Sequence, residues 1–402
     1  MQLREWNARL HGLVVFRALL GDPVVAKLAA LTDRLEAADD SIAPLCDAVA
    51  AFEAALFAHT TNLGDYLSNA VLETETVCVR QAAAGQLSPV MEAALNSELS
   101  FLQKLCGLTL DALLEAADRQ SRELAFLPRW EARQLDLTAA YNQRMREAGK
   151  KGYGMFAKHH VFTVENGQLV PVKYPDPQKL SELPGYEKER EKVIANTRAL
   201  LAGSPANNVL LYGDAGTGKS STVKAIANEY AADGLRLVEV KKNQLYQIPD
   251  LMDALASNPL KFILFIDDLS FTANDDNFAA LKAILEGSVG GRAGNIAVYA
   301  TSNRRHLIKE TLTDREGDDI HESDTRQELM SLSARFGLTI TFGSPDRERY
   351  LHIVEELAKQ YGVELDPRQL AVRSEAFAVR SGGRSARVAK QFIELCKAGV
   401  FS

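Results

Sequence analysis

The sequence predicts a multidomain chain with three parts: a helical N-terminal bundle, an α/β core built on a parallel sheet, and a small α-helical lid. Three observations carry this reading. Residues 1–148 read as helical almost throughout, and the segment from Asp47 to Glu73 returns an apolar side chain every three or four positions, which is the helical period. From Tyr186 onward, short runs that are apolar on both faces alternate with helical stretches, the pattern of a parallel sheet covered on both sides. After Asp346 strand character is lost, and three short helical segments run to Ser402. A chain of 402 residues is expected to hold two or three domains. The boundaries read as 1–148 for the bundle, 149–185 for a hairpin and linker, 186–344 for the α/β nucleotide-binding core and 345–402 for the lid.

Composition bounds the class. Apolar residues make up 46% of the chain and charged residues 25%, close to the average of soluble globular proteins, so disordered and collagen-like readings are excluded. Cys46, Cys78, Cys106 and Cys396 are scattered without a CxxC spacing, which argues against a zinc site and a secreted disulfide framework. No apolar stretch approaches the roughly 18 residues of a membrane span. The N-terminus lacks the apolar core of a signal peptide. A cytoplasmic location without membrane contact is expected. The net charge of −7 is mild; residues 1–150 hold 14 Lys and Arg against 20 Asp and Glu, and the rest hold 32 against 33. Neither part is basic enough to hold nucleic acid by bulk charge.

The elements follow in order. Ser41 to Pro44 and Ser88-Pro89 are helix starts with proline in the first turn. The bundle carries no chemical signature, and His59 and Cys106 read as core or surface residues. Lys150-Lys151-Gly-Tyr-Gly is a basic turn. The run HHVFTVENGQLVPVKY alternates around Asn166-Gly167, a hairpin signal; His159 and His160, adjacent on a strand, point to opposite faces and so do not form a metal pair. Proline-punctuated residues 171–185 read as linker. A helix over 187–202 leads to the strand Asn208-VLLYG, then a helix from Lys219. Strands at 235–240, 261–267, 295–302 and 337–342 follow, with helices at 249–257 and 276–286 between them.

Chemistry concentrates at strand ends. Gly213, Asp214, Ala215, Gly216, Thr217, Gly218, Lys219, Ser220 and Ser221 contain GxxxxGK[ST] in full, directly after a strand and before a helix, the context this motif requires. Its glycines let backbone N–H groups turn inward around an anion while the helix dipole adds positive potential. Lys219 is expected to reach the β and γ phosphates and Ser220 to ligate Mg²⁺. The apolar strand FILFI ends in Asp267-Asp268, at the edge where open α/β sheets bind ligands. Asp267 is the expected second Mg²⁺ residue, and Asp268 is the expected orienter of an attacking water. Asn303, closing Ala300-Thr-Ser-Asn, is placed to bridge that water and the γ-phosphate.

This order of motifs resembles that of AAA+ ATPases. The runs PANNVLLYGDAGTGKSS, FILFIDDLSF, LKAILEGS, YATSNRRHLI and SLSARFGLTITF are similar, more closely, to a bacterial AAA+ family of predicted ATPases of unknown function. The match spans roughly residues 170–395. The resemblance implies ATP with Mg²⁺ as the bound nucleotide, and a homo-oligomeric ring or spiral as the assembly. It also implies an arginine finger at Arg335, which would act on the neighbouring subunit's γ-phosphate. A sensor-two arginine is implied at Arg387, with Arg384 the alternative. An adenine pocket is implied along Leu183 to Tyr186. Arg304 and Arg305 follow the sensor asparagine, where they are either neighbour contacts or surface charge.

One departure matters. The second acidic motif ends in Asp-Asp where many AAA+ proteins have Asp-Glu, so the side chain that handles water is one methylene shorter. The same ending occurs in the helicase-loader and replication-initiator branch. Tyr246 stands in KKNQLYQIPD without a following glycine, so the pattern of a peptide-threading pore loop is missing. Two functions remain: an ATPase that remodels an unknown macromolecule, protein or nucleic acid, at a subunit interface, or a nucleotide-gated binding module with slow hydrolysis. A small-molecule kinase is a distant third, because the segment after the sheet carries the sensor-two pattern instead of an acceptor site.

Overall fold

The computed structural model describes residues 3–37, 41–83, 87–119, 124–270, 277–286, 294–303 and 334–401. The chain divides into two compact units, Met1–Lys158 and His159–Ser402.

The α-helices among the described residues of the first unit are α1 (Leu3–His11), α2 (Pro23–Glu36), α3 (Ile42–Phe57), α4 (Leu63–Glu73), α5 (Val77–Ala83), α6 (Pro89–Cys106), α7 (Leu110–Ala116), α8 (Leu137–Arg146) and the short α9 (Ala148–Lys151) and α10 (Met155–Lys158). Local chemistry sets the ends. Asp22 caps α2 by accepting from Val24 N and Val25 N, with Pro23 in the first turn, and Ser88 caps α6 ahead of Pro89. These side chains satisfy backbone donors that a helix start leaves unpaired. The core is built on Phe16, Phe52, Phe101, Trp130 and Tyr141. Trp130 stands edge-on to Phe52 with centroids 4.8 Å apart, and its indole N–H donates to Leu108 O at 2.8 Å. One core position breaks the apolar rule: Glu53, on α3, is 2% exposed, and neither carboxylate oxygen has a hydrogen-bond partner. The helical unit runs on to Lys158 because its last turn is tied back to α4. Gly154 N donates to Glu73 O at 2.7 Å, and Lys158 pairs with the Glu73 carboxylate at 2.9 Å.

The second unit is a seven-stranded sheet in the order β2-β1-β4-β5-β6-β3-β7. Its strands are β1 (Val161–Glu165), β2 (Gln168–Pro171), β3 (Val209–Gly213), β4 (Leu235–Glu239), β5 (Lys261–Ile266), β6 (Ile296–Ser302) and β7 (Leu338–Phe342). All neighbours are parallel except the β1–β2 hairpin, which turns at Asn166 and Gly167, both with positive φ. The hairpin expected to precede the core is part of it, with β1 lying parallel to β4 and Val161 opposite Leu237. Burial explains this placement: Phe162 and Val164 are at most 1% exposed, and β4 would otherwise end the sheet with an open ladder. Helices α11 (Glu187–Leu201), α12 (Lys219–Glu229), α13 (Ile248–Ala256) and α14 (Asn277–Glu286) connect the strands. Every residue of β6 is buried, as parallel strands covered on both faces require.

The C-terminal part is helical, as expected: α15 (Arg347–Tyr361), α16 (Pro367–Arg380) and α17 (Ala386–Lys397), capped by Asp346, Asp366 and Ser385. Tyr350, Ile353, Phe392 and Ile393 of these helices share one apolar core with Tyr186 and Phe342 of the sheet layer. Among the described residues, no helix is long and apolar enough to cross a membrane.

Candidate functional site

β3 ends at Gly213 and α12 begins at Lys219, so the intervening loop lies at the C-terminal edge of the sheet. Gly213 has a φ of 139°, and a Cβ there would stand 2.0 Å from Phe342 O. Only glycine lets the loop leave the strand this close to β7. The loop is cross-braced from within: Thr217 Oγ1 donates to Asp214 O at 2.9 Å, and Lys219 Nζ donates to Gly213 O at 2.8 Å and Asp214 O at 2.7 Å. Lys219 is buried, and burial pushes its ammonium pKa down against the opposing pull of Asp214, Asp267 and Asp268. Asp214 itself accepts from Ser344 N at 2.8 Å and Ser344 Oγ at 2.7 Å, bonds that hold its carboxyl below the usual range.

The acidic pair follows β5 directly. Asp267 Oδ1 accepts three hydrogen bonds, from Ser220 Oγ at 2.6 Å, Thr301 Oγ1 at 2.5 Å and Asp268 N at 3.1 Å. Asp268 sits in the left-handed region with φ 51°, an uncommon conformation for a residue with a side chain. Its carboxylate accepts from Asn303 Nδ2 at 2.9 Å, and Asn303 Oδ1 accepts from Lys219 Nζ at 3.1 Å. The five residues expected to act together, Lys219, Ser220, Asp267, Asp268 and Asn303, therefore form one hydrogen-bonded set. Ser220 and Asp267 offer oxygen only, the donor chemistry that Mg²⁺ prefers, and Mg²⁺ characteristically takes one or two protein ligands beside phosphate and water. Among the described residues, no cluster of three or more His, Cys, Asp or Glu could hold a metal by itself.

A cleft of about 1010 Å³ opens over this set, bounded on one side by the loop from Ala215 to Ser221 and on the other by α15 and α17. Leu183, Pro184, Ile353 and Leu357 give its far end an apolar wall, and Arg387 and Lys390 of α17 add positive charge. Gly213 and Asp214 stand behind the loop and do not line the cleft. Arg387 is also fixed by its backbone, whose N–H donates to Gly216 O at 3.0 Å. Arg384 differs: its guanidinium is committed to Glu375 through bonds of 2.7 to 3.3 Å, and it lines a neighbouring hollow rather than the main cleft.

Two further expected residues lie off the cleft. Tyr186 is 2% exposed, stacks on Phe342 with centroids 5.3 Å apart and donates its hydroxyl to Gly343 O at 2.6 Å. Its own left-handed backbone, φ 61°, turns the ring inward, so Leu183 and Pro184 face the cleft and Tyr186 backs them. Arg335, half-buried, precedes β7. The five residues of β7, about 17 Å of extended chain, separate it from the edge where its own loop lies. Arg304 and Arg305 fall outside the described residues.

Residue roles that sequence reading missed also line or brace the site. Asn228, near the end of α12, donates to both Asp176 O at 2.8 Å and Gln178 O at 2.9 Å, while its Oδ1 lies 2.9 Å from His160 Nε2. Gln360 of α15 donates to Ser181 O at 3.2 Å. Together they strap the 176–182 segment across the cleft. Proline punctuation marked that segment as a linker; nothing local marked it as a wall.

Comparison with known proteins gives matches at several levels. Residues 156–400 match the family described as "Protein of unknown function (DUF815)". Over 141 residues the chain is 31% identical to the replication factor C large subunit of Staphylothermus marinus, covering 35% of this chain and 29% of that protein. Among solved structures, it is similar to a mutant of RuvB from Thermotoga maritima, at 18% identity and a TM-score of 0.35 over 54% of this chain and 64% of that one. It is also similar to the Thermotoga maritima RuvB Holliday junction branch migration motor, at 16% identity and a TM-score of 0.33 over 55% of this chain and 72% of that one. The chain thus spans under a third of the curated relative's length and just under two thirds of the first RuvB chain.

Proposed function

The chain belongs to the DUF815 family, described as proteins of unknown function, the kind of AAA+ family that its motifs resemble, and from that premise we propose that it binds ATP with Mg²⁺ in the cleft over Lys219 and hydrolyses it at a subunit interface. The observation that carries this reading is the continuous hydrogen-bonded series of Lys219, Asn303, Asp268, Asp267 and Ser220 beneath that cleft. Lys219, released from its loop carbonyls onto phosphate oxygens, offsets the charge of the γ-phosphate. Ser220 and Asp267 would hold Mg²⁺, which supplies further charge neutralisation when bound. Asp268 orients the attacking water and takes up its proton, and Asn303 holds Asp268 and the γ-phosphate in register. Arg387 reaches the phosphates from the lid. Arg335, at the opposite edge of the sheet, serves a neighbouring copy's cleft and so makes the working unit a ring or spiral.

Energy released in this way would drive or gate the remodelling of a macromolecular partner, protein or nucleic acid. A slow nucleotide switch is favoured over a fast motor by one observation. Asp268 is short, backbone-strained and already paired with Asn303, so it has little freedom to follow a moving water.

The test measures ATPase rate per subunit over a protein concentration series, with light-scattering mass in ATP and in ADP, for wild type and Arg335→Ala. A finger in trans is worth about 10³–10⁵ in rate. The expected result is a rate that climbs with concentration and with mass in ATP, and that Arg335→Ala suppresses without loss of ATP binding. A flat rate shared by both proteins overturns the shared site.

A further inference from the structure

We propose that Thr301 is the positioning residue of this site, the side chain that fixes the geometry of both acidic carboxylates. The inference rests on the nucleotide reading above and adds to it a residue argued to act through the two acids.

β6 lies between β5 and β3, with Ala300 opposite Ile266 and Thr301 opposite Leu211. The next residue of β5's extension is Asp267, so Thr301 faces the point where the acidic pair leaves the sheet. Thr301 is 2% exposed, and a buried hydroxyl costs free energy unless its hydrogen-bonding capacity is used. Here it is used in both senses. The hydroxyl donates to Asp267 Oδ1 at 2.5 Å and accepts from Asp268 N at 2.9 Å. The backbone joins in, as Leu269 N donates to Thr301 O at 2.7 Å. One residue therefore holds three consecutive positions, 267 to 269.

Two consequences follow for the carboxylates. Every hydrogen bond that Asp267 receives among the described residues falls on Oδ1. Ser220 and Thr301 pin that oxygen from two sides, which leaves Oδ2 as the atom offered to the cleft. Asp268 holds a left-handed backbone with φ 51°. Such a conformation costs on the order of 1 kcal/mol or more and persists only where its surroundings enforce it. The Thr301 hydroxyl, accepting the Asp268 N–H at 2.9 Å against 3.1 Å for Asp267 Oδ1, makes the shorter of the two bonds that hold it. The strained turn then carries the Asp268 carboxylate to Asn303 Nδ2 at 2.9 Å. Without the hydroxyl, Asp267 loses one of its two side-chain partners and Asp268 the shorter of its two backbone bonds, and both carboxylates gain room to shift.

A threonine serves where a valine of the same shape does not, because only the oxygen carries both bonds. Thr301→Val removes donor and acceptor while keeping volume; Thr301→Ser keeps both and removes a methyl group. Loss of a group that orients a metal ligand characteristically costs about 10–100-fold in metal affinity or activity.

The experiment measures three quantities for wild type, Thr301→Val and Thr301→Ser. These are ATP affinity with EDTA, the Mg²⁺ concentration that half-saturates the tighter binding of a fluorescent ATP analogue, and kcat with KM. The expected result for Thr301→Val is unchanged Mg²⁺-free affinity, a Mg²⁺ requirement raised by about tenfold and kcat lowered by about 10–100-fold with little change in KM. Thr301→Ser should recover most of both. Equal values for wild type and valine variant overturn the proposal. So does a valine variant that loses Mg²⁺-free binding in step with everything else, or a serine variant as impaired as the valine one, since either marks a purely structural role. Wild-type protein that neither binds nor hydrolyses ATP overturns the nucleotide reading itself, and the two failures are thereby told apart.

Discussion

The Lys219 ammonium lies 3.1 Å from the Asn303 side-chain oxygen, and the same asparagine's amide nitrogen lies 2.9 Å from the Asp268 carboxylate. Asn303 thus spans the buried lysine that opens α12 and the second acid after β5, two groups of opposite charge. Its two ends discriminate between them: the carbonyl oxygen accepts from the lysine, and the amide donates to the acid.

Asn303→Ala should therefore lower turnover far more than it weakens ATP. A loss of about 10²–10³ in kcat is expected, the size seen when one preorganised polar group is removed from a reacting centre. Steady-state kinetics beside equilibrium binding of ATP checks it; equal losses in both would place Asn303 in ground-state binding alone.

The two lid arginines should separate cleanly. Arg387 lines the main cleft, so Arg387→Ala should weaken ATP or slow its turnover with the melting temperature unchanged. Arg384 is held by Glu375, so Arg384→Ala should lower the melting temperature and leave ATP affinity as it was. Differential scanning fluorimetry with and without ATP distinguishes them, and a reversed pattern would move the sensor-two role to Arg384.

Gly213 and Gly218 predict a contrast within one loop. At Gly213 an added Cβ meets Phe342 O at 2.0 Å, whereas at Gly218 nothing lies within 4 Å, although both have positive φ. Gly218→Ala should cost only backbone strain, about 1–2 kcal/mol. Gly213→Ala adds a backbone clash, for a total on the order of 3 kcal/mol or more. Urea unfolding of the two variants gives the comparison; equal midpoints would count against the close approach of β3 and β7.

Glu53 predicts a pH dependence in the helical unit. Burial pushes its carboxyl from the ordinary 4.5 up to about 7, with Arg129 pulling weakly the other way. A raised acid is destabilising once ionised, so stability should fall as pH rises from about 4.5 to 7 and stay reduced above that. Glu53→Gln should gain on the order of 2 kcal/mol at pH 8 and little or nothing at pH 4.5. Urea unfolding of both proteins at the two pH values tests it; a gain that does not depend on pH would exclude ionisation as the cause.

What the sequence made legible was what is local. The loop from Gly213 to Ser221, the acids closing β5 and the asparagine closing β6 each announce themselves within ten residues, because strand, turn chemistry and helix start are all short-range. The parallel pairing of β1 with β4 joins segments some seventy positions apart and has no local mark, so 149–185 read as hairpin and linker. Tyr186 sits in a motif that implies a nucleotide contact, but its inward ring depends on a left-handed backbone at that one residue. Thr301 has no local mark of its own, since its two bonds exist only once β6 lies beside β5. Glu53 occupies a helix in which a glutamate normally faces water, and its burial exists only once the tertiary fold is formed.

The β1–β2 hairpin has a consequence for anyone dissecting the protein. With β1 in place, β4 is an interior strand and the sheet ends on a four-residue strand closing at Pro171, which cannot donate another ladder bond. A fragment trimmed to begin at the first core helix would turn β4 into a naked rim, its apolar residues Leu235, Leu237 and Val238 beside unpaired amides. Such rims recruit each other, and that fragment would precipitate or self-associate for reasons unrelated to nucleotide. The hairpin is a hem on the fabric of the sheet, and colloidal behaviour would be lost with it before any chemistry was.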